Sequence, residues 1–323
     1  MYVWIDALAN YLSAVSYGKD EKDFAKWWPA DLHMVGKDIL RFHAVYWPAM
    51  LMAAGIDLPK RIFAHGWWTN EGQKMSKSLG NVITPDNLIK EFGLDQTRYF
   101  LLREFPFGND GDFSKQRMIA VINSELANNI GNLCQRTLSM IHKNCGGIVP
   151  EKSVPSFAAN LIEFYDRFID PKGFAGDYEF ISGATHIKLD AERNLLEDMK
   201  HQVSQTAMQF MIWPPIIVTS NLNQFFQYYE PWSLFKQGKI KEAETVLYYI
   251  SESIRCIAIL LQPFMPDSAA KILVQLGYDE SQTKKGIPFS ELENPLKPGT
   301  KLGELKPVFP RFVEEKKDAA TAG

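Results

Sequence analysis

Arg61-Ile62-Phe63-Ala64-His65-Gly66 is a short apolar run that ends at a glycine and leads into a polar segment, residues 67–81. Its first four residues are typical of a buried strand, and similar runs occur at residues 2–5 and 32–35. Helical patterns separate these runs, including one from about Asp38 to Ala54. Strand, helix and strand in this order predict part of a doubly wound parallel sheet, an α/β arrangement of the partial Rossmann type.

The polar segment, predicted to be a loop, carries the motif Lys74-Met75-Ser76-Lys77-Ser78 between two glycines. Two lysines three residues apart, on a segment able to move, can bring ammonium groups to a polyphosphate. The loop follows a strand end, which is where open α/β sheets bind ligands. Such lysines would stabilise the charge on a departing pyrophosphate when a carboxylate attacks the α-phosphate of ATP. The alternative is an ordinary solvated lysine turn.

The rest of the chain follows a helical period. A helix is predicted to begin with Thr84 as its N-cap and to stop at Gly93, and another to begin at Asp95. From Ser114 onward, apolar residues recur at helical spacings, which predicts an all-α helical bundle. The two sets are Ile122, Leu126, Ile130, Leu133 and Ile141, then Val246, Ile250, Ile254, Ile257 and Leu261.

These patterns predict an α/β domain over residues 1–111 and a helical domain over 112–284, with the boundary near Gly111. Residues 285–323 are rich in Pro, Gly and Lys, which predicts an extended strap followed by a disordered tail. Within the helical domain, Trp213-Pro214-Pro215 is expected to interrupt a helix.

Cysteine usage and apolar runs exclude some classes of protein. Cys134, Cys145 and Cys256 lie far apart and form no Cys-x-x-Cys pair, which argues against a disulfide framework and against a zinc or other metal site in this chain. No apolar run is long enough to span a bilayer, so no membrane segment is expected. The net charge of −3 leaves open whether basic residues gather on a face that binds nucleic acid.

The wider run from His65 to Asn81 resembles the second signature loop of the class I aminoacyl-tRNA synthetases, the methionyl branch in particular. That resemblance implies a methionine–tRNA ligase that uses ATP with Mg²⁺, forms methionyl-adenylate and transfers methionine to tRNA(Met). It also implies that Lys74 and Lys77 contact the ATP phosphates. Ser76 would support the loop, and backbone near Trp68 would face the adenine.

A second segment, Val3-Trp4-Ile5-Asp6-Ala7-Leu8-Ala9-Asn10-Tyr11, is similar to the methionine-pocket segment of that family. If a helix begins near Asp6, Ala7 and Tyr11 share a face, with Trp4 just before it. Two aromatic walls and a small residue suit a polarizable thioether. Taken without the resemblance, the same residues are also typical of an aromatic core.

The segment from Val35 to His43 is also similar to that family. Gly36 permits close backbone approach, and Asp38 at a helix start can hold ribose hydroxyls. Ile39 and His43 lie four residues apart on one helical face. The resemblance implies that this pair completes the methionine pocket, whereas a histidine on an apolar face is otherwise usually a core residue.

Three residues of the helical domain are candidates for reading an anticodon. Asn132 and Arg136 lie one turn apart, and Trp232 follows a proline. Amide and guanidinium groups can bond the edges of unpaired bases, and an indole can stack on them. In the methionyl family a matching Asn-Leu-x-x-Arg helix and a Pro-Trp pair have this role. Without the resemblance, such a helical pair is usually a solvated face.

The first signature of the class, His-x-Gly-His, does not occur in the sequence. The expectation is therefore a chain that lacks the opening half of the nucleotide fold, a truncated form inactive or nearly so by itself. A monomer in the cytoplasm is expected, with the mitochondrial matrix as the alternative location. Two rivals stay open: a class I synthetase for leucine, isoleucine, valine or cysteine, and a non-catalytic RNA-binding protein derived from a synthetase.

Overall fold

The computed structural model describes residues 3–168, 178–182, 185–189 and 195–313. The chain forms two compact units, the first up to residue 82 together with 105–113, the second made of 83–104 and the chain from 114 onward. The boundary expected near Gly111 falls two residues before the last passage from the first unit to the second. Residues 83–104, however, group with the helical unit rather than with the α/β unit.

The first unit contains the predicted parallel strands. β1 and β2 pair in parallel, with His33 opposite Ile62 and Gly36 opposite His65. A 3₁₀ turn (Lys37–Ile39), a π-helical segment (Phe42–Tyr46) and a helix connect them, which confirms the strand–helix–strand order. The elements of this part are α1 (Val3–Ser13), α2 (Glu21–Trp27), β1 (His33–Gly36), α3 (Trp47–Ala53) and β2 (Ile62–His65).

The strand expected at residues 2–5 was wrong for the described residues, since Val3 begins α1; Met1 and Tyr2 lie outside the described part. A run of four apolar residues is too short to show a period by itself. The helical period continues at Leu8 and Leu12, which are 1% and 9% exposed and pack in one cluster with Trp47 and Leu51. Burial of that helical face decides the conformation.

Residues 67–81, expected to be a loop, contain a β-hairpin. Its strands are β3 (Trp68–Asn70) and β4 (Gln73–Lys74), and β3 also pairs in parallel with β5 (Gly111–Phe113). The turn residues Glu71 and Gly72 have φ of 49° and 75°. Two successive positive φ values match the right-handed twist of the strands, as in a type I′ hairpin.

The second unit is mainly helical, and the two predicted ends of its first helix are confirmed. Thr84 caps α4 by accepting a hydrogen bond from the Asn87 N–H (3.3 Å), and Gly93 ends it with φ of 93°. The elements are α4 (Pro85–Phe92), α5 (Leu94–Arg103), α6 (Lys115–Val121), a π-helical segment (Ile122–Gly131), α7 (Asn132–Asn144), α8 (Ala159–Phe168), β6 (Tyr178–Ser182), β7 (Thr185–Leu189), α9 (Leu195–Ser204), α10 (Met208–Tyr229), α11 (Pro231–Lys236), α12 (Ile240–Leu261), α13 (Pro266–Gln275) and α14 (Glu280–Lys285).

The core of this unit lies where the apolar spacings indicated. All ten residues of the two predicted sets are buried. α12 is buried on all sides from Thr245 to Leu261 and is the central helix. The antiparallel pairing of β6 with β7 was not expected in a bundle.

The expected break at Trp213-Pro214-Pro215 was wrong, since α10 continues through both prolines. Proline removes an N–H and crowds the carbonyl four residues earlier, so a cost remains. Ile212, Val218 and Leu222 are fully buried along the same helix. Their packing on both sides of the prolines outweighs the lost hydrogen bonds.

The strap is present after α14. A 3₁₀ turn (Phe289–Glu293) precedes an extended segment, which is bonded to the chain after α7. The Val149 N–H donates to the Thr300 carbonyl and the Leu302 N–H to the Gly147 carbonyl, both at 2.8 Å. The disordered tail expected at the end falls on residues 314–323, outside the described residues. Among the helices of the described ranges, none combines the length and apolar character that a membrane crossing requires.

Candidate functional site

The hairpin presents the two lysines of the motif to solvent. Lys74 is the last residue of β4, and Lys77 begins a short 3₁₀ turn (Lys77–Leu79). Both side chains are exposed. The Lys74 ammonium lies 5.3 Å from the ring centroid of Trp67, a cation–π distance.

Ser76 and Asn81 hold the loop backbone between the lysines. The Ser76 hydroxyl accepts from the Leu79 N–H (3.2 Å), and the Ser76 N–H donates to Asn81 Oδ1 (2.9 Å). Asn81 Nδ2 in turn donates to the Lys74 carbonyl (3.2 Å), and Asn70 donates to the Asn81 carbonyl (3.1 Å). The backbone is thus fixed locally, while both lysine side chains are exposed and within reach of a ligand.

A third lysine, Lys37, also lies against the Trp67 ring. Its ammonium is 4.3 Å from the indole centroid and donates to Asp110 Oδ1 at 2.6 Å. The Trp67 N–H donates to the same carboxyl oxygen at 2.8 Å. The hydrogen bond from Lys37, and next that from Trp67, lower the pKa of Asp110, so it stays ionised. Trp67 therefore has two ammonium groups against it.

Gly36 and Asp38 lie at the same end of the strands. Gly36 is opposite His65 at the carboxyl ends of β1 and β2. A Cβ on Gly36 would come within 2.6 Å of Asp38 Oδ1, which also accepts from the Trp67 indole N–H (3.4 Å). Gly36, Asp38, Trp67 and Lys74 are thereby brought together, whereas Trp68 packs edge-on against Phe105 at 5.1 Å.

Three of the five residues expected to bind methionine come into one aromatic cluster. Trp4 stacks on Phe42 with centroids 4.1 Å apart and meets the His43 ring edge-on at 6.1 Å. His43 Nδ1 lies 3.0 Å from the Ile39 carbonyl, which can only accept, so Nδ1 carries the proton. Nε2 therefore accepts from the Tyr11 hydroxyl at 2.9 Å. Burial raises the pKa of Tyr11, which keeps it a donor.

The remaining two residues are placed differently. Ile39 contributes its backbone carbonyl to His43 and is half-buried, while Ala7 is exposed on α1, between Trp4 and Tyr11 along the helix. An apolar cavity of about 350 Å³ lies beside Trp4, lined also by Ile5, Leu8, Tyr46, Ala49 and Met50. The cluster is thus partly a core, as the alternative interpretation held, and partly the wall of a cavity.

In the second unit, Arg136 and Trp232 come together. The Arg136 guanidinium lies 4.4 Å from the Phe226 centroid and 5.6 Å from the Trp232 centroid. Burial lowers the pKa of Arg136 from its ordinary high value, so its cation is partly desolvated. A cavity of about 480 Å³ opens at this point, and Lys143 and Lys236 line it as well. Asn132 lies one turn before Arg136 on α7.

Several residues of these sites were not identified from sequence. Lys37 stands inside the segment that resembles the family but was given no role. Asp110 is 73 residues away from it and lies in no motif. Phe226 belongs to no motif of the sequence. Spacing along one helix carries no information about which residue of another helix faces it.

Comparison with known proteins adds an independent line of evidence. A family model described as tRNA synthetases class I (M) matches residues 1–138, and one described as the anticodon binding domain of methionyl tRNA ligase matches residues 183–322. The methionine–tRNA ligase of Mycobacterium leprae is 45% identical over 316 residues, which are 97% of this chain and 53% of that protein. The methionine–tRNA ligase of Rickettsia bellii is 47% identical over 315 residues, which are 97% of this chain and 57% of that protein.

Solved structures agree. The Mycobacterium tuberculosis methionyl-tRNA synthetase in complex with methionyl-adenylate superposes with a TM-score of 0.80 at 42% identity, over 96% of this chain and 56% of that one. Its apo form gives 0.79 at 39% identity. The fold and the first matched model place the chain in the class I tRNA synthetase group of proteins. Within that class, the chain belongs to the methionyl-tRNA synthetase family. The chain spans about half the length of the curated relatives it matches.

Membership in the methionyl branch decides against the leucine, isoleucine, valine and cysteine synthetases expected as rivals. Among the described residues, there is no group of three or more His, Cys, Asp or Glu side chains placed to hold a metal ion.

Proposed function

We propose that the protein containing this chain is a methionine–tRNA ligase, which activates methionine with ATP and transfers it to tRNA(Met). The observation that carries the proposal is the lysine hairpin beside the carboxyl ends of two parallel strands. In open α/β sheets, ligands bind at that edge. The nucleotide is therefore expected to bind next to the exposed ammonium groups of Lys74 and Lys77.

Lys74 and Lys77 would act on the departing pyrophosphate. When the methionine carboxylate attacks the α-phosphate, the bond to the β-phosphate breaks and negative charge builds on the leaving group. Ammonium groups that meet this charge chiefly in the transition state lower the barrier. Ser76 holds the loop backbone that positions both lysines. Mg²⁺ would arrive with ATP, held by its phosphates as part of the substrate.

Gly36, Asp38 and the backbone beside Trp68 would bind the nucleoside. Gly36 offers room for close approach, and the Asp38 carboxylate is an acceptor for ribose hydroxyls. The indole N–H of Trp67 already holds Asp38 in place. Lys37 would position Asp110, and through it the Trp67 backbone, rather than touch the phosphates.

Methionine would bind against Trp4, Ala7, Tyr11, Ile39 and His43. Aromatic rings offer a thioether favourable sulfur contacts. The Tyr11 hydroxyl and His43 Nε2 are hydrogen-bonded to each other, so neither polar atom is left without a partner beside an apolar side chain. The exposed position of Ala7 leaves its methyl group available to a ligand.

Asn132, Arg136 and Trp232 would read the anticodon of tRNA(Met). A desolvated guanidinium next to an indole, at the mouth of a cavity with two further lysines, suits an unpaired base and its phosphate. We propose a monomer as the working form. The proposed location is the cytoplasm, with the mitochondrial matrix as the alternative.

Trp232→Ala is expected to weaken binding of an anticodon stem-loop with the sequence CAU by about 5–150-fold, since loss of one base–aromatic stack costs about 1–3 kcal/mol. Fluorescence anisotropy of a labelled stem-loop, titrated with the full chain, measures this. Trp27→Ala is the matched control, because Trp27 is 55% exposed on α2 in the other unit.

A stem-loop with a scrambled anticodon gives the baseline for non-specific binding. Specific binding by the wild-type chain that Trp232→Ala leaves unchanged would refute the stacking role. Equal affinity of the wild-type chain for CAU and scrambled loops would refute anticodon reading altogether.

A further inference from the structure

Two helical segments of the second unit face each other through polar side chains in a constant register. Each pair is separated by 91 residues, and successive pairs lie about one helical turn apart. The pairs are Asn129 with Ser220 (3.0 Å), Asn132 with Asn223 (3.4 Å) and Arg136 with Gln227 (3.5 Å). Both proposed anticodon readers, Asn132 and Arg136, therefore stand on a polar ladder whose other side is α10.

Backbone carbonyls fix the direction of the hydrogen bonds that join Asn129, Asn223 and Asn132. Asn223 Nδ2 donates to the Thr219 carbonyl (3.1 Å), and Asn129 Nδ2 donates to the Ile216 carbonyl (3.1 Å). A carbonyl can only accept, so neither amide can turn around without losing its bond. Asn129 Oδ1 then accepts from Asn223 Nδ2 at 2.9 Å. The Asn223 oxygen is left facing Asn132, whose Nδ2 must donate to it.

This direction determines what the readers can offer to a base. Asn132 has its amino group turned toward Asn223, so its oxygen is the group left to accept a bond. Arg136 Nη2 donates to Gln227 Oε1. The other N–H groups of the guanidinium lie beside Phe226 and Trp232 and can donate to a base. An acceptor next to a donor complements a base edge that carries an amino group beside a ring acceptor.

The two bonds to the readers are long, at 3.4 and 3.5 Å, while the anchoring bonds of Asn129 and Asn223 are 2.9–3.1 Å. Both lengths lie beyond the usual range of about 2.7–3.2 Å for an N–H donor, so these two bonds are weak. The hydrogen bonds of Asn129 and Asn223 are therefore stronger than those made by Asn132 and Arg136. The ladder therefore orients Asn132 and Arg136, and little free energy is lost when a bound base replaces their bonds to Asn223 and Gln227.

We propose that Asn223 and Gln227 are positioning residues that together select cytosine over uracil: Asn223 fixes which way the Asn132 amide faces, and Gln227 holds the donor-only guanidinium of Arg136 in place. Cytosine presents an amino group beside its ring acceptor, whereas uracil presents a carbonyl at that position. This inference rests on the proposed anticodon function. It adds that the choice between the two pyrimidines is made by residues that do not touch the RNA.

The test compares two stem-loops that differ only in the first anticodon base, cytosine or uracil, and measures the ratio of their dissociation constants. Asn223→Ala frees the Asn132 amide to turn and offer its N–H to uracil, so the preference for cytosine should fall by about tenfold. Asn221→Ala is the control, since Asn221 Nδ2 donates to the Ile217 carbonyl of its own helix.

Gln227 gives a second variant that does not endanger folding, because its side chain is exposed. Gln227→Leu should reduce the preference, and Gln227→Glu, which keeps an acceptor for Arg136, should retain it. Gln224→Leu is the matched control on the same helix, also at an exposed position. A purely structural role would weaken both stem-loops equally and leave the ratio unchanged.

The outcomes are distinct. A reduced ratio in Asn223→Ala and Gln227→Leu, with the ratio kept in Gln227→Glu and the controls, supports the proposal. Wild-type preference that persists in both variants overturns it while leaving anticodon reading intact. A wild-type chain that shows no preference between the stem-loops overturns anticodon reading at this base and this inference with it.

Discussion

Lys77→Ala, in a protein of the full length of the relatives, is expected to slow methionine-dependent ATP–pyrophosphate exchange by roughly 10²–10³-fold, the usual loss for one transition-state donor. The reason is the position of Lys77 on an exposed turn whose backbone Ser76 and Asn81 already hold. Substrate affinity should change much less than the rate, because the charge that Lys77 meets is largest on the departing pyrophosphate. Single-turnover exchange at saturating ATP and methionine measures it.

Lys22→Ala is the matched control, since Lys22 is an exposed lysine on α2 of the same unit. It should exchange at the wild-type rate. An equal rate for Lys77→Ala and the wild type would remove the catalytic role of the hairpin. A wild-type full-length protein that binds anticodon stem-loops but gives no exchange would instead favour the remaining rival, a non-catalytic RNA-binding protein.

Where local chemistry decides, the sequence was sufficient. Thr84 and Gly93 bound a helix because a hydroxyl satisfies a free N–H at one end and glycine tolerates positive φ at the other. The two apolar runs at 32–35 and 61–64 predicted strands, which formed over His33–Gly36 and Ile62–His65. Each of these signals lies within a few neighbouring residues and needs no knowledge of the rest of the chain.

Where tertiary contacts decide the conformation, the sequence alone was not sufficient to predict it. The apolar run at residues 2–5 has no period of its own, and its described residues form a helix because Leu8 and Leu12 continue a buried face. Glu71 occupies a positive-φ turn position without being glycine, so the hairpin had only Gly72 as a signal. Burial around Pro214 overrides the local rule against proline.

The candidate sites follow the same division. Lys74, Ser76 and Lys77 form one motif and were identified together, although their roles stay proposals. The contact of Lys37 with Asp110 joins residues 73 apart, and Asn223 meets Asn132 across 91 residues. A single sequence contains no measure of such pairings. The positioning residues of both sites can therefore be identified only once the packing of the chain is known.

Arg255→Met is expected to lower the free energy of unfolding of the second unit by about 3–5 kcal/mol, the usual cost of leaving one buried charge without its partner. Arg255 is fully buried and donates to both oxygens of Glu252, at 2.6 and 2.7 Å. It also donates to the Glu291 carbonyl (2.9 Å), while Glu252 accepts from the Leu296 N–H (2.8 Å). The pair thereby bonds the strap to α12, and urea denaturation followed by circular dichroism measures its loss.

The matched control is Lys200→Met, which removes an ion pair of the same spacing. Lys200 and Glu197 also lie three residues apart on one helix, but both are more than half exposed. An exposed pair contributes at most about 1 kcal/mol, so this variant should be close to wild type. Replacing both Glu252 and Arg255 by apolar residues should cost less than Arg255→Met alone, because no charge is then left buried. If Arg255→Met and Lys200→Met cost the same, burial does not govern the strength of this pair, and the strap must be held by its backbone hydrogen bonds instead.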